Sequence, residues 1–153
     1  TWVTAERLHI TVRFIGHVED SKGDAVRGVL AALPGERFDL TIAGVGTFPP
    51  KGGPRVIWAG LTAGRPQLIS LEKLVSDRLR EAGVPPEERP FNPHVTLARV
   101  RDAQGLRAGT LVQPVRDLVL GSTRVDAITL FESRLSPKGP TYVALARTPL
   151  VGN

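Results

Sequence analysis

Phe91-Asn92-Pro93-His94-Val95-Thr96-Leu97-Ala98-Arg99 decides how the rest of the chain is read. It has the form of a short strand entered through a proline. Side chains alternate between the faces of a strand, so His94 and Thr96 point the same way. The arrangement recurs at Leu8-His9-Ile10-Thr11-Val12-Arg13-Phe14, where His9 and Thr11 share a face. The chain has three histidines, and two of them sit in these His-x-Thr strands, 85 positions apart (94 minus 9). The two strands are expected to face each other across a cleft.

Outward from these motifs the pattern is mixed. Leu8 to Ile15 predicts a strand, with Leu8, Ile10, Val12 and Phe14 on an apolar face packed on helices and His9, Thr11 and Arg13 on the other. A helix capped by Asp20 or Ser21 should run to about Leu33, with Val26, Val29, Leu30 and Leu33 inward, and stop at Pro34-Gly35. Phe38 to Ala43 predicts a strand, Gly44 to Pro54 a breaker-rich loop, and Val56 to Leu61 a strand containing Trp58. Gln67 to Ala82 predicts an amphipathic helix with Leu68, Leu71, Leu74, Val75 and Leu79 inward. Val84 to Pro90 is a proline-rich link into the second motif, and Arg101 to Gly109 is polar loop. Val115 to Leu120, Ala127 to Arg134 and Thr141 to Arg147 predict strands, the last two a hairpin through Ser136-Pro137-Lys138-Gly139-Pro140. The class is α+β: two pseudo-symmetric lobes, each an antiparallel sheet with helices outside, around a central cleft.

At 153 residues, with 41% hydrophobic residues, this is a folded single domain or two small lobes sharing a core. Its apolar runs are far shorter than the roughly 20 residues a membrane span needs. Cysteine is absent, which removes disulfides and thiolate metal sites and fits a cytoplasmic protein. The formal charge is +5, carried by 16 arginines and only four lysines, and a basic surface favours an anionic partner such as nucleic acid. Arginine preference in the coding sequence would give the same balance. Methionine is also absent and the chain opens at Thr1-Trp2-Val3, so an upstream segment is expected to precede it.

Phosphodiester cleavage needs a base to deprotonate the attacking group and an acid to protonate the leaving oxygen. Imidazole, with an ordinary pKa of about 6.5, can do either near neutral pH. Two histidines on opposite sides of phosphorus supply both roles, each worth roughly 10²–10⁴ in rate. Threonine hydroxyls can donate to the non-bridging oxygens and hold the geometry for in-line attack. The scheme calls for no metal and no cofactor. A single His-x-Thr strand is more often structural than catalytic; two copies using two of three histidines favour catalysis. His17, at a strand end, reads as a surface residue, and a His9, His17 and His94 metal site would need unusual geometry.

Leu8-His9-Ile10-Thr11-Val12-Arg13-Phe14-Ile15-Gly16 and Pro90 to Arg99 resemble the paired signatures of the two-histidine phosphoesterases. The branch most similar is that of the LigT-like (ThpR) RNA 2′,3′-cyclic phosphodiesterases. Trp2-Val3, Val45-Gly46-Thr47-Phe48-Pro49, Val56 to Leu61, Leu130 to Leu135 and Gly139 to Tyr142 carry the resemblance across nearly the whole chain. It implies hydrolysis of RNA 2′,3′-cyclic phosphate ends to 2′-phosphates, with reversible 2′–5′ joining of RNA ends in some members. It implies His9 and His94 as the acid–base pair, and Thr11, Thr96 and Arg99 as phosphate contacts. Strict alternation would turn Arg99 away from His94, so a bulge or the strand end must re-aim it. Arg13 is aimed at the cleft by alternation alone. Phe48 and Arg55 are candidate substrate contacts. Family members open with a strand and helix ahead of the Trp-Val position, so that first strand and helix are expected to be missing here and a sheet edge bare. A monomer is expected. A cyclic phosphodiesterase of a small nucleotide derivative, a non-catalytic RNA-binding module and a metallohydrolase remain alternatives.

Overall fold

The computed structural model describes residues 1–152. Strands β1 (Phe38–Phe48), β2 (Val56–Leu61), β3 (Val95–Arg99), β4 (Val119–Val125), β5 (Ala127–Ser136) and β6 (Gly139–Pro149) alternate with helices α1 (Asp20–Ala31), α2 (Arg65–Glu81) and α3 (Ala108–Val112), with 3₁₀ turns at Ala5–Arg7 and Gln113–Val115. The sheets are antiparallel and the class is α+β, as the hydrophobic periods imply. The chain clusters into two compact units. No helix among the described residues is long and apolar enough to cross a membrane.

The first unit comprises Thr1–Val12, Asp39–Ile69 and Phe91–Thr123. Its sheet has the order β3-β2-β1-β4. Pairing registers sort the residues of this sheet by face. Gly46 opposes Trp58 and Phe48 opposes Val56 across β1 and β2, while Trp58 opposes Thr96 across β2 and β3. Directly opposed residues point the same way, so Phe48, Gly46, Trp58, Val56 and Thr96 share one face. The other face carries Thr47, Ala59, Leu61, Val95 and Ala98, all buried. One face is therefore core, and the other is available for chemistry.

Of the breakers that predict a loop from Gly44 to Pro54, Gly44 and Gly46 lie inside β1, which runs on to Phe48, and those from Pro49 to Pro54 lie in the connection to β2. Between Ile42 and Val45 the register slips by one residue, a bulge that Gly44 turns with φ +80. Gly46 is required for space: a Cβ there would sit 2.3 Å from Trp58 Cζ2. The indole lies across the gap left by the glycine, a cross-strand packing that sequence patterns read only as a break.

Leu8 to Ile15 is not the regular strand that alternation predicts. Trp2 bridges Ala98, and Val3 N donates to Leu97 O at 2.8 Å, so residues 1–3 already occupy that stretch of the β3 edge. The 3₁₀ turn at Ala5–Arg7 follows, and the segment meets β3 again only at the Ile10–Val95 bridge. Its apolar face is not packed on helices, since Leu8 is 43% and Phe14 73% exposed.

Arg13–Phe38, Ser70–Pro90 and the chain from Arg124 form the second unit. The hairpin of β5 and β6 pairs continuously from Ala127 with Pro149 to Ser136 with Gly139, apart from one bulge. Val26, Leu30 and Leu33 of the α1 segment are buried as their spacing predicts, and Thr148 Oγ1 donates to Leu30 O at 3.1 Å. Arg37 and Gly35 tie the residues after α1 to Leu150 and Val151, leaving Leu150 1% exposed. α2 buries Leu68, Leu71, Val75 and Leu79 as one stripe. Val115 is not a strand residue. A 3₁₀ turn, Gln113–Val115, with Pro114 at its second position, takes its place, and Leu118 N donates to Val115 O before β4 begins at Val119.

Candidate active site

Both His-x-Thr motifs lie in the first unit. Ile10 and Val95 are opposed across an antiparallel bridge. Continuing that register one residue each way sets His9 against Thr96 and Thr11 against His94. Thr96 and His94 lie on the face opposite the buried Val95, which is the face of Trp58 and Phe48, and strand-like alternation about Ile10 would bring His9 and Thr11 to it. Opposed pairs of this kind have Cβ atoms about 5 Å apart, and diagonal pairs, His9 with His94 here, about 7–8 Å. That diagonal leaves room for a phosphate between two imidazoles.

The two rings are anchored in the same way. His9 Nδ1 lies 2.7 Å from the carbonyl oxygen of Arg7, and His94 Nδ1 lies 2.7 Å from that of Asn92. Each carbonyl is two residues upstream and can only accept, so each Nδ1 carries the proton. In the neutral ring Nε2 is then the basic nitrogen, on both histidines. The Ala5–Arg7 turn fixes the carbonyl that holds His9. Its Glu6 carboxyl is held below the ordinary carboxylate range, first by its own backbone N–H, then by the Thr4 hydroxyl and the charge of Arg7.

Arg99 joins this face through a register change. Ala98 opposes Ile57 and Thr96 opposes Trp58, so Leu97 is an extra residue in β3. Arg99 opposes Val56, which shares a face with Trp58, so Arg99 returns to the side of Thr96. Were Leu97 a regular member of the ladder rather than an extra residue, Arg99 would point into the core face. Arg13 goes elsewhere: its guanidinium pairs with Glu87 Oε2 at 2.8 Å and bonds to the carbonyls of Phe14 and Pro85 in the second unit, with a side chain only 6% exposed. It is a tether rather than a phosphate contact. His17 also belongs to the second unit.

Phe48 packs against His94 edge-to-face, with ring centroids 5.1 Å apart, and against Trp58 at 5.4 Å. The Thr47 hydroxyl donates to Pro49 O at 2.6 Å and holds the turn that aims Phe48. Arg55 is exposed and does not line the cleft; its backbone closes the β1–β2 loop through Phe48 O and Val100 N. The cleft beside His94 has a volume of about 390 Å³, and its walls include Trp58, Asn92, Arg65 and Arg116. Sequence reading singles out none of these four as site residues. Trp58 had a signal, the glycines two residues to its C-terminal side and across β1; an arginine at a helix start or in a loop carries none.

The family model described as the 2′-5′ RNA ligase superfamily matches residues 2–136. An RNA 2′,3′-cyclic phosphodiesterase of Aeropyrum pernix is 38% identical over 144 residues, 94% of this chain and 82% of that protein. The crystal structure of a Thermus thermophilus protein matches with a TM-score of 0.80 at 27% identity, covering 97% of this chain and 81% of that one. E. coli LigT complexed with 3′-AMP matches with a TM-score of 0.76 at 27% identity, over 99% of this chain and 81% of that one. Fold, paired motifs and family match agree over most of the length, and the chain belongs to the 2′-5′ RNA ligase superfamily.

Proposed function

We propose that this chain is an RNA 2′,3′-cyclic phosphodiesterase, the activity for which its Aeropyrum relative is named. The observation that supports the reading is the Ile10–Val95 bridge, which runs the backbones of the two His-x-Thr motifs side by side. His94 Nε2 takes a proton from water, whose oxygen attacks phosphorus. The bond from phosphorus to the 3′ oxygen breaks, and protonated His9 delivers its Nε2 proton to that oxygen. The products are a 2′-phosphate and a free 3′-hydroxyl, and the proton gained by His94 restores the pair after exchange with solvent. Thr11 and Thr96 donate to the non-bridging oxygens, and Arg99 offsets their negative charge. With an RNA 5′-hydroxyl in place of water, the same step joins ends through a 2′–5′ linkage and frees the 3′-hydroxyl, and its reversal cleaves that linkage. The substrate is an RNA end or a cyclic nucleotide, handled by a cytoplasmic monomer.

Incubation with a nucleoside 2′,3′-cyclic phosphate in chelator tests this. The expected product is the 2′-phosphate isomer, formed with a bell-shaped pH dependence. His9→Ala and His94→Ala should each lower kcat/KM at least about 100-fold. Near-normal turnover in His9→Ala would sink the shared acid–base scheme. RNA binding without turnover in the unmodified protein would leave a binding module instead.

A further inference from the structure

Resting on that reading, we propose that Arg65 and Arg116 form a subsite for a second phosphate, the one on the 5′ oxygen of the nucleotide that bears the cyclic phosphate. The substrate class is then an oligonucleotide end rather than a free mononucleotide. One cleft is lined by His94, Phe48, Trp58 and these two arginines. No carboxylate lines it. Neither arginine has an ion-pair or hydrogen-bond partner among the described residues. Two uncompensated cations in one cleft repel each other and attract an anion.

The backbone delivers Arg116 to this place. Gly44 N donates to Leu118 O at 2.8 Å, and a Cβ on Gly44 would meet Arg116 O at 3.1 Å. The bulge of β1 thus lets the segment carrying Arg116 close against the cleft. A cyclic phosphate has one negative charge, and Thr11, Thr96 and Arg99 already answer it. A mononucleotide offers nothing further but a 5′-hydroxyl. An RNA end offers a phosphodiester there, one nucleoside away from the reacting phosphorus. The rings of Phe48 and Trp58, with centroids 5.4 Å apart, line the same cleft and offer a base a stacking surface.

The test compares adenosine 2′,3′-cyclic phosphate, its 5′-phosphorylated form and the dinucleotide ApA 2′,3′-cyclic phosphate. The unmodified protein should turn over both substrates that carry a 5′ phosphate with kcat/KM at least about tenfold above the mononucleotide, mainly through KM. Rising salt should lower kcat/KM more steeply for them. Arg65→Gln and Arg116→Gln should each reduce that preference several-fold, with the loss larger on the substrates that carry a 5′ phosphate. Equal kcat/KM and equal salt slopes for all three substrates in the unmodified protein would overturn the subsite. So would a loss in both variants that is the same on every substrate. Absence of turnover on all three substrates, or its survival in His94→Ala, would instead sink the phosphodiesterase reading itself.

Discussion

At the scale of single residues, the site rests on where protons and hydroxyls are held. Both imidazoles give Nδ1–H to a carbonyl two residues upstream, so neither ring can present the wrong nitrogen without breaking a 2.7 Å bond. In the proposed reaction the threonines act by donation alone. Thr96→Val keeps the shape and the β-branch while removing the hydroxyl, and a hydrogen bond to a charged group is worth about 1.5–3 kcal/mol. It should lower kcat/KM about 10- to 100-fold with the melting temperature little changed; a loss confined to stability would mean the hydroxyl serves the fold. The motif residues were legible because alternation needs only neighbours in sequence. Arg99 was legible as a residue but not as an orientation, since its direction depends on one extra leucine in the pairing with β2.

Elements show where periodicity reports and where it is silent. α1, α2, β2 and β3 follow their hydrophobic spacing because each buries one stripe or face. The Leu8–Ile15 stretch has equally clean alternation, but alternation names faces and not hydrogen-bond partners; the edge it would use is partly taken by Trp2 and Val3. β1 hid behind its glycines and β4 behind a polar run of Gly121, Ser122, Thr123 and Arg124. The glycines of β1 have a job that can be measured. Gly46→Ala puts a methyl group into the Trp58 ring, and overpacking of this kind costs about 1–3 kcal/mol. It should lower the urea midpoint and raise KM together, because the displaced indole is a wall of the cleft. Loss of stability with KM unchanged would argue that Trp58 takes no part in binding.

Over the whole molecule, stability and chemistry draw on different residues. Leu150 is 1% exposed, its carbonyl accepts from Arg37 Nε at 2.9 Å, and its N–H donates to Asp126 O at 2.8 Å. Leu150→Ala should cost about 2–5 kcal/mol through the cavity it leaves, read as a lower denaturant midpoint at unchanged slope. A cost under about 1 kcal/mol would mean the surroundings collapse into the space. The predominance of arginine, 16 of 20 basic residues, also has a meaning at this scale. A guanidinium keeps its charge at any working pH, so the attraction of the surface for a polyanion stays constant while the imidazoles change state.

The chain contains two tryptophans in contrasting surroundings. Trp2 is 73% exposed, whereas Trp58 packs on Phe48 with its indole nitrogen buried and unbonded. Excited at the indole band, the protein therefore carries its own optical reporter of occupancy. A stacked base would quench the emission of one chromophore and leave the solvent-relaxed signal of the other as an internal standard, so binding can be followed without a label.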